Sequence, residues 1–184
     1  MIDIKLTICI LSLPDRLTFL TNLLSQLYAQ PKELLKYTEI LINVDYKQFT
    51  IGEKRNQLLN SAKGKYITFI DDDDDVSLNY IEKIFEGISK DVDAIGITGM
   101  YAPVVGTHKK FTCSKDYKWG EKPDAYYRSI QHICPIKTEI AKQVQYPAIN
   151  FTEDKLYADK VQPFIKTDYI INDIIYIYKY RHKK

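Results

Sequence analysis

The sequence predicts an α/β protein, a mostly parallel sheet flanked by helices and followed by a small loop-rich lobe. Three observations lead there. Near-continuous apolar runs at 6–13, 39–44, 65–70 and 92–98 have the pattern of strands covered on both faces. The segments between them carry apolar residues at helical spacing. The resulting order β-α-β-α-β-α-β is the signature of parallel strands joined by right-handed crossovers.

The elements follow in order. Leu6 to Leu13 reads as the first strand. Pro14 and Asp15 break it and open a helix whose buried face is Leu17, Leu20, Leu23, Leu24 and Leu27, and Pro31 ends that helix. Glu39 to Val44 is a second strand stopping at Asp45. After a polar loop, Gly52 to Asn56 leads into a helix with Leu58, Leu59 and Ala62 inward and Gly64 expected at its stop position. The third strand, Lys65 to Ile70, runs into five consecutive aspartates, Asp71 to Asp75. Ser77 is the expected N-cap of the next helix, with Ile81, Ile84, Phe85 and Ile88 buried. Val92 to Thr98 is the fourth strand.

From Gly99 the rhythm changes. Residues 99–131 carry Gly, Pro, Lys, Tyr and the only tryptophan, Trp119, with strand-like pieces such as Lys110 to Cys113. This reads as a loop-rich lobe of the same domain. Thr138 to Val144 is a short helix. Thr152 is the expected cap of another that begins Glu153-Asp154. Ile170 to Tyr178 is a late strand or packed segment before a basic tail.

The 184 residues, 45% hydrophobic and 27% charged, suffice for one domain with a real core. A net charge of +2 gives no reason to expect nucleic acid as a partner. Cys9, Cys113 and Cys134 form no CxxC pair and read as buried thiols in a reducing compartment. The apolar start is interrupted by Asp3 and Lys5 and reads as a strand, not a signal peptide. No stretch reaches the ~20 apolar residues that span a bilayer. The expectation is a soluble, cytoplasmic protein.

A block of carboxylates cannot stay in a core, so Asp71 to Asp75 must face water, a cation or a cationic ligand. Hard oxygen ligands at a strand end suit Mg²⁺ or Mn²⁺, with Mg²⁺ usually shared between carboxylates and a substrate's phosphates. An acidic turn in solvent is the plainer reading. Position argues for function: ligands of open α/β sheets bind outside the carboxyl ends of the strands, and Asp45 ends the second strand on the same rim.

Arg55-Asn56, then Ala62 and Gly64, then Tyr66 to Ile70 and a D-x-D at Asp71 and Asp73, together resemble the core motif of family-2 glycosyltransferases. D-x-D alone is weak, but at this spacing after the other three elements it is specific. Thr7 to Leu27 fits the same family. The resemblance implies a GT-A-type, Rossmann-like fold in one domain over 1–184, with a nucleotide-sugar-binding half at 1–98 and an acceptor-side half at 99–184. It implies that Asp45 bonds the donor's nucleobase, Asp71 or Asp72 the ribose, and Asp73 a Mn²⁺ or Mg²⁺ ion. The extra acids leave the register open by one residue, so Asp72 and Asp74 stay as alternatives. Arg55 would lie near the donor, or else only make local bonds in its helix turn.

Glu153-Asp154 resembles the family's E-D element, which makes Asp154 the base for the acceptor hydroxyl. The alternative is a pair of acids meeting the helix dipole. His182, in Tyr180-Arg181-His182, stands where many GT-A enzymes carry a metal-ligating histidine, and an exposed tail histidine is the competing account. His132 lines the acceptor side or is structural. Trp119, Tyr126 and Tyr127 offer stacking surface or core packing. The implied function is inverting, metal-dependent transfer from a nucleotide-diphosphate sugar, a UDP-sugar first, to an acceptor hydroxyl. A non-catalytic nucleotide-sugar or glycan-binding module is one rival. A sugar-phosphate nucleotidyltransferase is another, disfavoured because Leu11 to Arg16 holds no glycine for a phosphate loop.

Overall fold

The computed structural model describes residues 3–180. Strand β1 (Leu6–Ser12) is buried almost throughout, as its apolar run requires. A 3₁₀ turn at Pro14–Arg16 leads into α1 (Leu17–Tyr28), which buries Leu20, Leu23 and Leu27. The short α2 (Lys32–Leu35) precedes β2 (Thr38–Val44), an edge strand parallel to β1. Helix α3 (Ile51–Ser61) opens with a reciprocal capping box between Thr50 and Glu53. Strand β3 (Tyr66–Asp71) pairs in parallel with the other side of β1 and carries the aspartates at its carboxyl end.

Neither Gly64 nor Ser77 has the helix-end role expected of it. Gly64 does not terminate α3, which ends at Ser61 with an extended Ala62 behind it. Instead, a Cβ on Gly64 would lie 2.5 Å from the Thr7 backbone nitrogen, so the glycine lets the chain pass directly against β1. Ser77 does not cap the following helix either. After the two-residue β4 (Asp75–Val76), α4 (Tyr80–Ile88) starts behind Asn79, and the Ser77 hydroxyl donates to Asn79 Oδ1 at 2.7 Å.

The second half adds more sheet than the sequence suggests. β5 (Ala94–Tyr101) runs three residues past its expected end. β6 (Lys109–Cys113), β7 (Gly120–Glu121) and β8 (Ala125–Arg128) then extend the same sheet, β6 antiparallel to β5 and β8 parallel to β6. β5 does not pair with β3. A two-residue strand, β9 (Ile136–Lys137), sits between them, with Ile136 paired to both Ile67 and Ala94. Helices α5 (Thr138–Ala141) and α6 (Glu153–Val161) follow, then β10 (Asp168–Tyr178). β10 lies parallel to β5 with register shifts near Ile174 and antiparallel to β4. The architecture is thus mixed α/β with a central, mostly parallel sheet.

Thr152 occupies the N-cap position of α6 but does not cap it. Its φ is +63°, and its hydroxyl donates to the Phe151 carbonyl at 2.6 Å. A threonine held in the left-handed region is strained, a feature that gathers at functional sites. Cys9, Cys113 and Cys134 are free and buried. Among the described residues no helix is long and apolar enough to cross a membrane.

Candidate active site

The five aspartates do not form a solvated run, because each turns to a partner in the fold. Asp72 is buried, accepting from the Ser12 hydroxyl at 2.6 Å and from Arg16 through both Nε and a terminal nitrogen. Arg16 also reaches Asp73 at 3.0 Å. Asp74 is buried between the Tyr176 hydroxyl at 2.6 Å and the Lys179 N–H at 2.8 Å. Asp75 takes the Gln26 amide at 2.9 Å and the Lys179 ammonium. Asp71, the most open of the first three, meets Arg55 at 3.2 Å.

The electrostatics follow from these partners. Burial and the Asp71 charge push the Asp74 carboxyl up to about 8, against the lowering effect of its two hydrogen bonds. Burial would raise Asp71 as well, but His132 and Arg55 beside it hold it well below the usual carboxylate range. The hydrogen bond from Arg16 to Asp72 outweighs desolvation and raises the guanidinium further.

The first turn of α6 is brought to the end of β3 by two bridges. Arg55 is buried, with one nitrogen on Asp71 and its Nε 3.4 Å from Glu153. Its guanidinium lies over the rings of Phe69 and Tyr146, at 5.1 and 5.7 Å from their centroids. His132 makes the second bridge, with Nε2 3.8 Å from Asp71 and Nδ1 3.8 Å from Asp154. Burial pushes the Glu153 carboxyl up, Arg55 opposes this, and the neighbouring Asp154 adds to it. Asn56 fixes the loop that leads toward α6, since its amide both donates to and accepts from the Tyr146 backbone at 2.9 and 2.8 Å. Arg55 and Asn56 therefore work as a pair, one inside the site and one clamping its approach.

Two cavities meet at this junction. The first, of ≈ 660 Å³, is lined by charged groups including Arg16, Lys54, Arg55, Asp72 and Asp73. The second, of ≈ 510 Å³, is walled by Tyr101, Phe111, Trp119, Tyr126 and Tyr176, with Arg128 among them. Asp71, His132, Thr152, Asp154 and Tyr178 border both.

Of the residues singled out from sequence, Arg55, Asp71, Asp72, Asp73 and Asp154 come together on the first cavity. Asp45 is not brought to its wall. The Asp45 carboxylate is buried, accepting from Lys54 Nζ at 2.7 Å and from the Phe49 N–H at 3.1 Å. Burial alone would raise it, but these bonds win and lower it. Lys54, and not Asp45, faces the cavity. His182 lies outside the described residues, although Tyr178, Lys179 and Tyr180 border the first cavity. Tyr126 is on the aromatic wall, whereas Tyr127 pairs edge-on with Tyr117 outside it. Ser12, Arg16 and Lys54 join the site without having been marked by any motif. Arg16 had one usable signal, its place just past the carboxyl end of β1 on the same rim as the aspartates.

Among the described residues no group of three or more His, Cys, Asp or Glu side chains is arranged to hold a metal ion alone. The oxygen set on the charged cavity instead suits a cation that draws on one or two carboxylates and completes its shell from substrate phosphates and water.

Residues 28–147 match the sequence profile of Glycosyl transferase family 2. That span holds Arg55 and the aspartates and stops short of α6. No curated protein sequence matches the chain. Solved structures resemble it in fold. TarS 1–349 from S. aureus in complex with UDP-GlcNAc is 16% identical with a TM-score of 0.73, over 98% of this chain and 60% of that one. The mannosyltransferase PcManGT from Pyrobaculum calidifontis, in complex with GDP-Man and Mn²⁺, is 10% identical with a TM-score of 0.61, over 95% of this chain and 56% of that one. The chain thus spans about 60% of the length of the TarS fragment. The profile covers well over half of the residues, motif included, and the chain belongs to glycosyl transferase family 2.

Proposed function

We propose that this domain moves a sugar from a nucleotide-diphosphate sugar to an acceptor hydroxyl with inversion at the anomeric carbon, using Mn²⁺ or Mg²⁺. One observation carries the reading: a charged cavity and an aromatic cavity meet at a shared border that includes the ionisable side chains of Asp71, His132 and Asp154. A diphosphate belongs in the first and a sugar ring in the second. The reacting carbon then belongs at the junction.

Arg16 and Lys54 supply positive charge on the donor side, each already ion-paired and so pre-oriented. Arg55 holds Asp71 toward the ribose side of the nucleotide. Asp73 is the carboxylate assigned to the cation, with its second oxygen anchored by Arg16. When bound, the cation offsets the charge that grows on the departing diphosphate. Asp154 faces both cavities, where it can take the proton of an acceptor hydroxyl lying opposite the leaving group. Asp45 acts at one remove, as the counter-ion that aims Lys54. Uridine is the first candidate nucleoside, supported by the family resemblance and by UDP-GlcNAc on TarS, and the GDP-Man of PcManGT makes guanosine the competitor. The buried free thiols support a reducing, cytoplasmic location.

The test is a panel of nucleotide-sugars with Mn²⁺, with Mg²⁺ and with EDTA, read by nucleotide release. Release from a UDP-sugar that needs the metal is the expected result. Thermal stabilisation by a nucleotide-sugar without any release would assign a binding module instead. No response to any donor would end the transfer reading.

A further inference from the structure

His132 is a buried imidazole whose ring makes no hydrogen bond. The residue is only 8% exposed, and neither ring nitrogen has a hydrogen-bond partner. Buried polar atoms in native structures are nearly always satisfied, so an unsatisfied one calls for a reason. Holding the local chain is not that reason, because the backbone does so already. The His132 carbonyl accepts from the Phe69 N–H at 2.9 Å, and the next carbonyl, of Ile133, accepts from the Thr68 hydroxyl at 3.0 Å. These two bonds dock the segment along β3 and leave the ring free to project between the two acids. Asp71 from β3 faces Nε2, and Asp154 from α6 faces Nδ1. Arg55 and Glu153 stand behind those acids, joined to each other.

We propose that His132 is a positioning residue for Asp154 that also takes over the proton Asp154 removes from the acceptor, an inference that rests on the transfer reading above. Asp71 fixes the ring by accepting the Nε2–H, which leaves the Nδ1 lone pair aimed at Asp154. This is the logic by which a third group orients a base. In the transfer step the acceptor O–H bond breaks as its oxygen bonds the anomeric carbon. The bond from that carbon to the diphosphate oxygen breaks, and its electron pair leaves with the nucleotide. The proton goes to an Asp154 oxygen. The resulting carboxylic O–H donates to Nδ1 and passes the proton on, giving an imidazolium whose Nε2–H stays on Asp71. The ring borders both cavities, so the proton then leaves to water as product departs. Each 3.8 Å separation has to close by about 1 Å for these bonds to form, a tightening that is ordinary between a substrate-free enzyme and its complex.

The experiment uses the donor and metal that support nucleotide release in the panel, with water as acceptor. It measures kcat and KM for the donor on the wild type, His132→Gln and His132→Ala, and donor affinity by calorimetry. Glutamine can still donate to Asp71 but cannot take a proton. Its kcat is expected to fall about tenfold to a hundredfold with donor KM within about twofold of wild type. Added imidazole is expected to restore part of the kcat of His132→Ala and none of that of Asp154→Asn. A His132→Gln enzyme with wild-type kcat overturns the proposal. So does His132→Ala that imidazole leaves unchanged, or a pair of variants that do not fold, because His132 is then structural. In each of these cases the wild type still turns over, so the transfer reading survives. A wild type that releases nucleotide from no donor removes both.

Discussion

The two cavities share a wall but are built by opposite means. The charged one is made by the carboxyl ends of β1 and β3 with the first turn of α3. Its side chains are fixed by ion pairs, such as Arg16 on Asp72 and Lys54 on Asp45. The aromatic one is made by β5, β6, β8 and β10, and its side chains are fixed by ring packing. Tyr101 stands edge-on to Tyr126, with centroids 5.6 Å apart, and Arg128 lies over Trp119 and Tyr126 at 4.7 and 5.0 Å. Removing one member of a buried ion pair strands a charge, whereas removing one ring from a stack loses only part of a contact surface. The charged cavity should therefore tolerate substitution poorly, and the aromatic one should tune gradually.

The hardest blow to that contrast falls on the shared wall. Asp154→Asn keeps both cavities and removes the proposed base. Nucleotide release is expected to drop by about 10²–10⁴, with donor affinity by calorimetry near wild type. Undiminished release would mean that no base works at the junction. Next comes the charged side. Arg55→Ala leaves Asp71 and Glu153 uncompensated around a buried gap, and urea denaturation should show a loss of roughly 3–5 kcal/mol. A loss under ~1 kcal/mol would show that the bridges do not hold α6 to β3. The aromatic side should give the smallest effect. Trp119 is 40% exposed, so Trp119→Ala is expected to raise acceptor KM about tenfold while leaving donor KM and the melting temperature almost unchanged. Equal effects on donor and acceptor would erase the division between the cavities.

What could be read from the sequence was whatever is written locally. Asp71 to Asp73, Arg55 and the Glu153-Asp154 pair belong to short patterns at fixed spacing from a strand or helix start, and they come together on one cavity. Arg16 lies 56 positions from Asp72, and no local pattern reports that pairing. Asp45 was legible as a strand end but not in its direction, because Lys54 reaches back over nine positions from α3 to take its carboxylate. Strand β9 was invisible for another reason. Two residues are too few for a period, and Ile136 counts as a strand only because Ile67 and Ala94 flank it. Gly64 reads from sequence as a helix stop, and the structure gives it another role. That role is a close pass against β1, and sequence cannot separate the two.

The bonds that fix Asp74 set an order of assembly. Its two partners, Tyr176 and Lys179, come 102 and 105 positions later in the chain. A nascent polypeptide that has emerged only as far as β5 can already pair its opening strands, yet the floor of its aromatic chamber does not exist. The complete chamber must therefore await the synthesis of β10, and contacts this distant in sequence make that closing step a slow one.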